Sequence, residues 1–326
     1  MSREKFLDRA VKGSKELARL RKLADHPKRL SGSSRQGLAR YPGLFRSACQ
    51  SLALARHRDY STTVVAQLNR VALESHHQMY GSPQNVYAGG VRFLTATFPR
   101  AFRAEPWLAF WAFTMMFAPI FIIAVMVQWY PELPYSILES AQLRQVEAMY
   151  SNEGGVVLLE RPVESDVIMF GLYVKNNVGI AFWTFAAGVF YGIGSCFFLL
   201  FNGVMFGAIG GHLHRIGAGE NLYGFVVGHG SLELTGIAIA GMSGLVIGRS
   251  LLKPGQYTRA QSFRMAARQS LTLISGAAIM IFLAAFVEAF WSPRVLPSSV
   301  KYTVGSGLWV IVIAYLALAG RWSREP

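Results

Sequence analysis

The chain is poor in charge: 15% of its 326 residues are Asp, Glu, Lys or Arg, against about 25% in an ordinary soluble domain. With 52% of residues hydrophobic, that supply cannot tile a water-facing surface, which excludes a conventional soluble globular protein. Cysteine is nearly absent. The two present, Cys49 and Cys196, fall in a basic segment and in an apolar run, on opposite sides of any membrane boundary, so a disulfide framework is excluded. The first twenty residues, MSREKFLDRAVKGSKELARL, lack the uninterrupted apolar core of a secretory signal, so the first membrane span is expected to target the chain and leave the N-terminus inside. No phosphate loop, dinucleotide fingerprint, zinc-protease helix or serine elbow occurs, and there is no internal repeat or low-complexity tract. These absences remove the familiar soluble enzyme classes and predict a non-enzymatic protein without a cofactor.

The charge that is present is unevenly placed. Residues 1–106 hold 19 basic and 7 acidic side chains, a net +12 of the total +14. A basic head followed by long apolar runs reads as a membrane protein whose head faces the cytoplasm and anionic lipid, rather than a nucleic-acid binder. A span needs about 20 mainly apolar residues to cross about 30 Å of hydrocarbon. Candidates lie at 107–129, 178–201, 203–216, 222–248, 271–291 and 304–320, the first with Trp107 and Trp129 at its two interfaces. The third is short and ends in His212, His214 and Arg215, so five spans plus a re-entrant helix are an open alternative to six.

Arg249, Lys253, Arg259, Arg264 and Arg268 follow residue 248 without an acid, whereas residues 130–177 carry seven acids against Arg144, Arg161 and Lys175. The positive-inside tendency puts the first segment in the cytoplasm and the second outside, and six crossings return the C-terminus to the cytoplasm. The expected fold class is therefore all-α: a polytopic membrane helix bundle at 107–326, with an outer acidic segment at 130–177 and an amphipathic helical head at 1–106. In the head, Leu38, Tyr41, Phe45, Ala48, Leu52 and Ala55 recur at helical spacing, as do Val64, Leu68, Val71 and Ser75. A further helix is expected near Phe6 to Leu23, ended by Pro27. Phe93, Phe98 and Phe102 interleaved with Arg92, Arg100 and Arg103 predict a helix in the membrane interface. The outer segment is expected to hold a helix around Ser136–Met149 and a loop through Asn152 and Pro162.

Ionisable groups inside spans are costly and usually face the protein interior or a wet cavity. Two acids qualify, Glu233 and Glu288. His229 stands one helical step of four before Glu233, and the stripe continues through Gly236, Ala240, Gly244 and Gly248, a small-residue ridge that admits a neighbouring helix. Asn176 and Asn177 are expected at the outer mouth of the second span, and His212 near the outer end of the third. Three readings stay open: mutual packing of the polar pair, a wet functional pocket for lipid, ion or polymer, or a metal site completed by His212, His214 or Glu288. Gly188, Gly192, Gly203, Gly207 and Gly211 read as helix-packing positions, and Asn202, in FNG, as a turn cap between the second and third spans.

GLYVKNNVGIAF at 171–182, LLFNGVMFGAIGGH at 199–212, GHGSLELTGIAIAGMSGLVIG at 228–248 and FVEAFWSP at 286–293 resemble the signatures of the stage II sporulation protein M family. LNR at 68–70 and FPRAFR at 98–103 resemble its longer members, and RYPGLF at 40–45 departs from them, Pro42 standing where a continuous helix is expected. The resemblance implies a cell-envelope membrane protein, a scaffold or gate for peptidoglycan remodelling. It marks Asn176, Asn177, Asn202, His229, Glu233 and Glu288 as family features without assigning them a reaction. The implied partners are the lipid bilayer, peptidoglycan-remodelling enzymes, a MoxR-type ATPase with von Willebrand factor A domain proteins, and a second copy of the chain. With 24 Arg against 8 Lys the composition suggests a GC-rich bacterium, many of which do not sporulate. A lipid or small-molecule transporter and an intramembrane metalloenzyme are the competing expectations.

Overall fold

The computed structural model describes residues 16–17, 40–80, 86–151 and 163–321, and every regular element among them is helical. The chain divides into two units, Met1–Gly89 and Gly90–Pro326. The first is built on a helical hairpin, α1 (Tyr41–His57) and α2 (Thr62–Tyr80). Tyr41, Ala48 and Ala55 from one helix and Leu68, Ala72 and Ser75 from the other are buried, the faces that the three-and-four spacing selects. Pro42 stands in the first turn of α1, where its missing N–H sacrifices no intrahelical bond. It therefore starts a helix. The helix expected near Phe6 to Leu23 lies, apart from residues 16–17, outside the described residues, as does the loop expected through Asn152 and Pro162.

Helix α3 (Val86–Arg92) spans the boundary between the two units and runs through a π-helical turn, Phe93–Thr97, into α4 (Phe98–Arg103). Phe98 is fully buried against Gly276, so the aromatic stripe turns toward protein. Arg103 donates to the carbonyls of Leu316 and Ala319, each at 2.6 Å, and Arg100 to Gly320 at 2.9 Å. These guanidinium groups satisfy carbonyls that a helix C-terminus leaves without intrahelical partners.

The bundle follows: α5 (Pro106–Trp129), short α6 (Leu133–Ile137) and α7 (Ser140–Tyr150), then α8 (Val163–Ala186), α9 (Ile193–Arg215), α10 (Gly219–Leu252), α11 (Arg259–Phe290) and α12 (Ser298–Leu318). Five of these, α5, α9, α10, α11 and α12, are long and apolar enough to cross a membrane. The protein has the build of a multi-pass membrane protein. In α10, 89% of the most apolar stretch is buried inside the protein, against 17% in α5 and 22% in α12. Helix α10 is the hub, with α5, α8, α9, α11 and α12 packed around it. Trp107, Phe110, Trp111 and Trp129 of α5 are exposed, as a lipid-facing helix requires.

The helix boundaries between 163 and 216 differ from those read in the sequence. Residues 178–201 and 203–216 are not two elements, because the chain turns at 187–192, through the 3₁₀ segment Ala187–Val189, Tyr191 at φ 56° and Gly192 at φ 85°. Glycine tolerates that left-handed geometry. A Cβ on Gly188 would strike Gly244, and one on Gly248 would strike Gly192, so this turn is where the α8–α9 bend rests directly on α10. Asn202 is correspondingly no turn cap: it lies inside α9, buried, donating to the Phe198 carbonyl at 2.7 Å. Gly203, Gly207 and Gly211 lie against α5. The helix α8 starts at Val163 and extends to 186 without a break, so Asn176 and Asn177 sit well inside it, about 20 Å from its start.

Candidate functional site

The polar centre is assembled on α10. His229 and Glu233, one helical step of four apart, lie on one face, with His229 Nε2 3.8 Å from Glu233 Oε2. From α11 comes Glu288, and one ligand-type atom from each of His229, Glu233 and Glu288 falls within 4.8 Å of the others. All three residues are buried. Ser292, just beyond α11, meets His229 Nδ1 at 2.9 Å. Asn177 of α8 donates through Nδ2 to Glu288 Oε2 at 3.3 Å, and Asn176 donates to Asn177 Oδ1 at 2.8 Å. That second bond orients the Asn177 amide so that its nitrogen faces the carboxylate.

A cavity of about 350 Å³ opens beside the centre, walled mostly by apolar side chains including Ile120, Met149, Phe206 and Val226, with His229, Glu233 and Glu288 on its polar side. Helix α7 closes part of it through Tyr150, whose ring meets Phe225 edge-on at 6.0 Å, and Phe225 in turn meets the His229 ring at 5.3 Å. Burial first, and the Glu288 carboxylate next, push the Tyr150 phenol above its ordinary range. It stays protonated at neutral pH, a hydrogen-bond donor in the cavity wall.

Of the other sequence candidates, His212 is held elsewhere: its Nε2 meets Glu147 Oε1 at 2.6 Å and its ring meets Tyr135 at 5.8 Å. Asn202 is bound to its own helix and does not line the cavity. His214 lies beside Tyr223, ring centroids 6.1 Å apart. The small residues Gly236, Ala240, Gly244 and Gly248 are all buried, Gly236 against Ile281 of α11, Gly244 and Gly248 against the α8–α9 bend.

Three features escaped the sequence reading. Ser292 lay in plain view in FVEAFWSP. Tyr150 could not be found, because it reaches the centre from a separate helix with no spacing relation to α10. Asp166, fully buried, pairs with Arg294, while Lys301 donates to the Ser292 carbonyl at 3.0 Å; both contacts brace the chain just after α11.

The sequence model of the stage II sporulation protein M family matches residues 109–293, more than half of the chain and the whole of the polar centre. The chain belongs to the stage II sporulation protein M family. A domain of unknown function, DUF8413, matches residues 15–81, the region of the helical hairpin. No curated protein and no solved structure matches the chain. In this member of the stage II sporulation protein M family, the matched region takes in α8, α9, α10 and α11 together with Tyr150 and Ser292, and leaves α12 outside.

Proposed function

We propose that the protein is a multi-pass component of the bacterial cytoplasmic membrane that serves envelope remodelling as a scaffold or gate. On this reading the 1–106 head docks a cytoplasmic partner and the His229–Glu233–Glu288 pocket works on the opposite, outward side. The observation that carries the reading is the buried polar cluster that α10 and α11 bring together beside the cavity. An inert anchor gains nothing from three ionisable side chains where apolar residues would pack as well, because burying such groups costs several kcal/mol each unless they are compensated.

Sidedness follows from charge and length. Glu105 and Arg249 form a two-point ion pair at 2.5 Å, joined by Gln269 at 3.3 Å, beside the basic connection 249–268. Sixteen residues of helix separate Arg249 from Glu233, about 24 Å of rise, most of the hydrocarbon thickness of about 30 Å. The cluster then lies in the outer part of the bilayer, under the acidic segment 130–177 that contributes Tyr150. Membership in the stage II sporulation protein M family supports peptidoglycan-remodelling enzymes as outer partners, and a MoxR-type ATPase with von Willebrand factor A domain proteins as candidates for the head. The mostly apolar wall of the cavity favours a second reading, the handling of a lipid or another small amphiphile at the same site.

Deleting the gene should sensitise cells to hypo-osmotic shock and to antibiotics that act on the wall, with the full-length protein restoring resistance. Unchanged envelope strength and wall composition in the deletion strain would contradict the proposed role.

A further inference from the structure

Glu233 is a buried carboxylate of the bundle with little to compensate its charge. Its side chain is nine-tenths buried and lines the cavity, yet among the described residues it accepts no hydrogen bond, and His229 Nε2 at 3.8 Å is beyond hydrogen-bond reach. Glu288 is buried beside it and receives one neutral amide donor, Asn177. Among the described residues no Arg or Lys lies within ion-pair distance of either carboxylate. The two carboxylates and the imidazole converge, with one ligand-type atom of each within 4.8 Å of the others.

The surroundings of each group leave one atom free and fix its direction. Ser292 engages His229 at Nδ1, so Nε2 is the ring nitrogen left to face Glu233. Asn177 holds Glu288 at Oε2 and leaves the other oxygen open, and Asn176 holds Asn177 in turn. Outer hydrogen bonds that orient an imidazole ring and a carboxylate are the usual support of metal ligands.

We infer that His229, Glu233 and Glu288 form a site for one divalent transition-metal ion, with Asn177 and Ser292 as positioning residues and its remaining coordination positions open to the cavity. One imidazole and two carboxylates suit zinc, manganese or ferrous iron. Ligand atoms bound at about 2.1 Å to a shared ion stand about 3.0–3.5 Å apart, so the present separations of 3.8 Å and up to 4.8 Å close by small side-chain rotations. Three protein ligands with an open position is the arrangement of reactive rather than closed structural sites. The inference deepens the proposed working centre and rests on it for its biological meaning, though not for its test.

The test is metal analysis of the full-length protein purified in detergent, after incubation with Zn²⁺ or Mn²⁺ and desalting, paired with a Co²⁺ titration followed by visible absorption. The wild type should hold about one equivalent, as should Glu147→Gln, which alters the separate His212 pair. Glu233→Gln and Glu288→Gln should lose the ion, and Asn177→Ala should keep it with affinity lowered about 10- to 100-fold. Folding is controlled by the melting temperature: chelator should lower that of the wild type and leave those of the two Gln variants unchanged. Wild-type protein that takes up no metal above the chelated control, or Gln variants that bind as the wild type does, would overturn the inference. A metal-free wild type whose Gln variants still fail in cells would remove the ion and leave the working centre standing.

Discussion

Gly236 sits where α10 leans on α11, and adding a single methyl group there has a calculable consequence. A Cβ at that position would stand 2.6 Å from Ile281 Cγ1 and 3.3 Å from the Ala277 carbonyl oxygen, where carbon atoms in contact need about 3.5–4.0 Å. Ile281 is itself fully buried, so it must retreat by about 1 Å into neighbours that are already packed. Overpacking of this kind costs about 1–3 kcal/mol, while Ala returns up to about 1 kcal/mol of helix propensity over Gly. Gly179, inside α8, is the internal control, because a Cβ there meets nothing within 4 Å and only the propensity gain, up to about 1 kcal/mol, remains. Gly236→Ala and Gly179→Ala should therefore differ by about 1–3 kcal/mol, or roughly 2–12 °C in midpoint for a unit of this size. Thermal unfolding in detergent followed by tryptophan fluorescence reads the gap. Equal midpoints, or a higher one for Gly236→Ala, would refute the account of how α10 and α11 meet.

Single cysteines at Ser151 and Ser262, in a background lacking Cys49 and Cys196, should react with an impermeant thiol reagent from outside and only after lysis, respectively; the reverse pattern would invert the proposed topology. The hydrogen bonds from Arg249 hold the Glu105 carboxyl below its ordinary value of 4.5. A depressed carboxylate stabilises the fold above its unfolded value and loses that contribution as pH falls through the folded one, so acid below about pH 4.5 should weaken the wild type more than Glu105→Gln. The substitution itself should cost about 1–2 kcal/mol at neutral pH, discounted for a half-exposed Arg249. Residues 1–89 expressed alone should give a helical circular dichroism spectrum, and Ala55→Asp, at a fully buried hairpin position, should lower their helicity.

Much of this architecture was legible in the sequence because it rests on local periodicity. The hairpin faces of α1 and α2, the charge-free run with its two tryptophans, and the i,i+4 relation of His229 to Glu233 each follow from spacing along one element. The α8–α9 boundary did not. FNG at 202 offered a glycine and an asparagine, and residues 190–194 offered two more glycines; only the packing of Gly188 and Gly192 on α10 selects the second as the turn. Tyr150 and the outward brace from Lys301 depend on tertiary approach and leave no periodic trace. Asn176 and Asn177 were recognisable as polar residues within an apolar context, but their register toward Glu288 required the whole of α8 to be one helix.

The measurement that bears most directly on the working centre is complementation of the deletion strain by Glu233→Gln, compared with wild type and Glu147→Gln at equal abundance in the membrane. Gln keeps the size and hydrogen-bonding capacity of Glu233 and removes its charge. The account predicts that Glu233→Gln accumulates and folds normally yet fails to restore envelope resistance, whereas Glu147→Gln restores it. Full complementation by Glu233→Gln would contradict the claim that the His229–Glu233–Glu288 centre performs the protein's role.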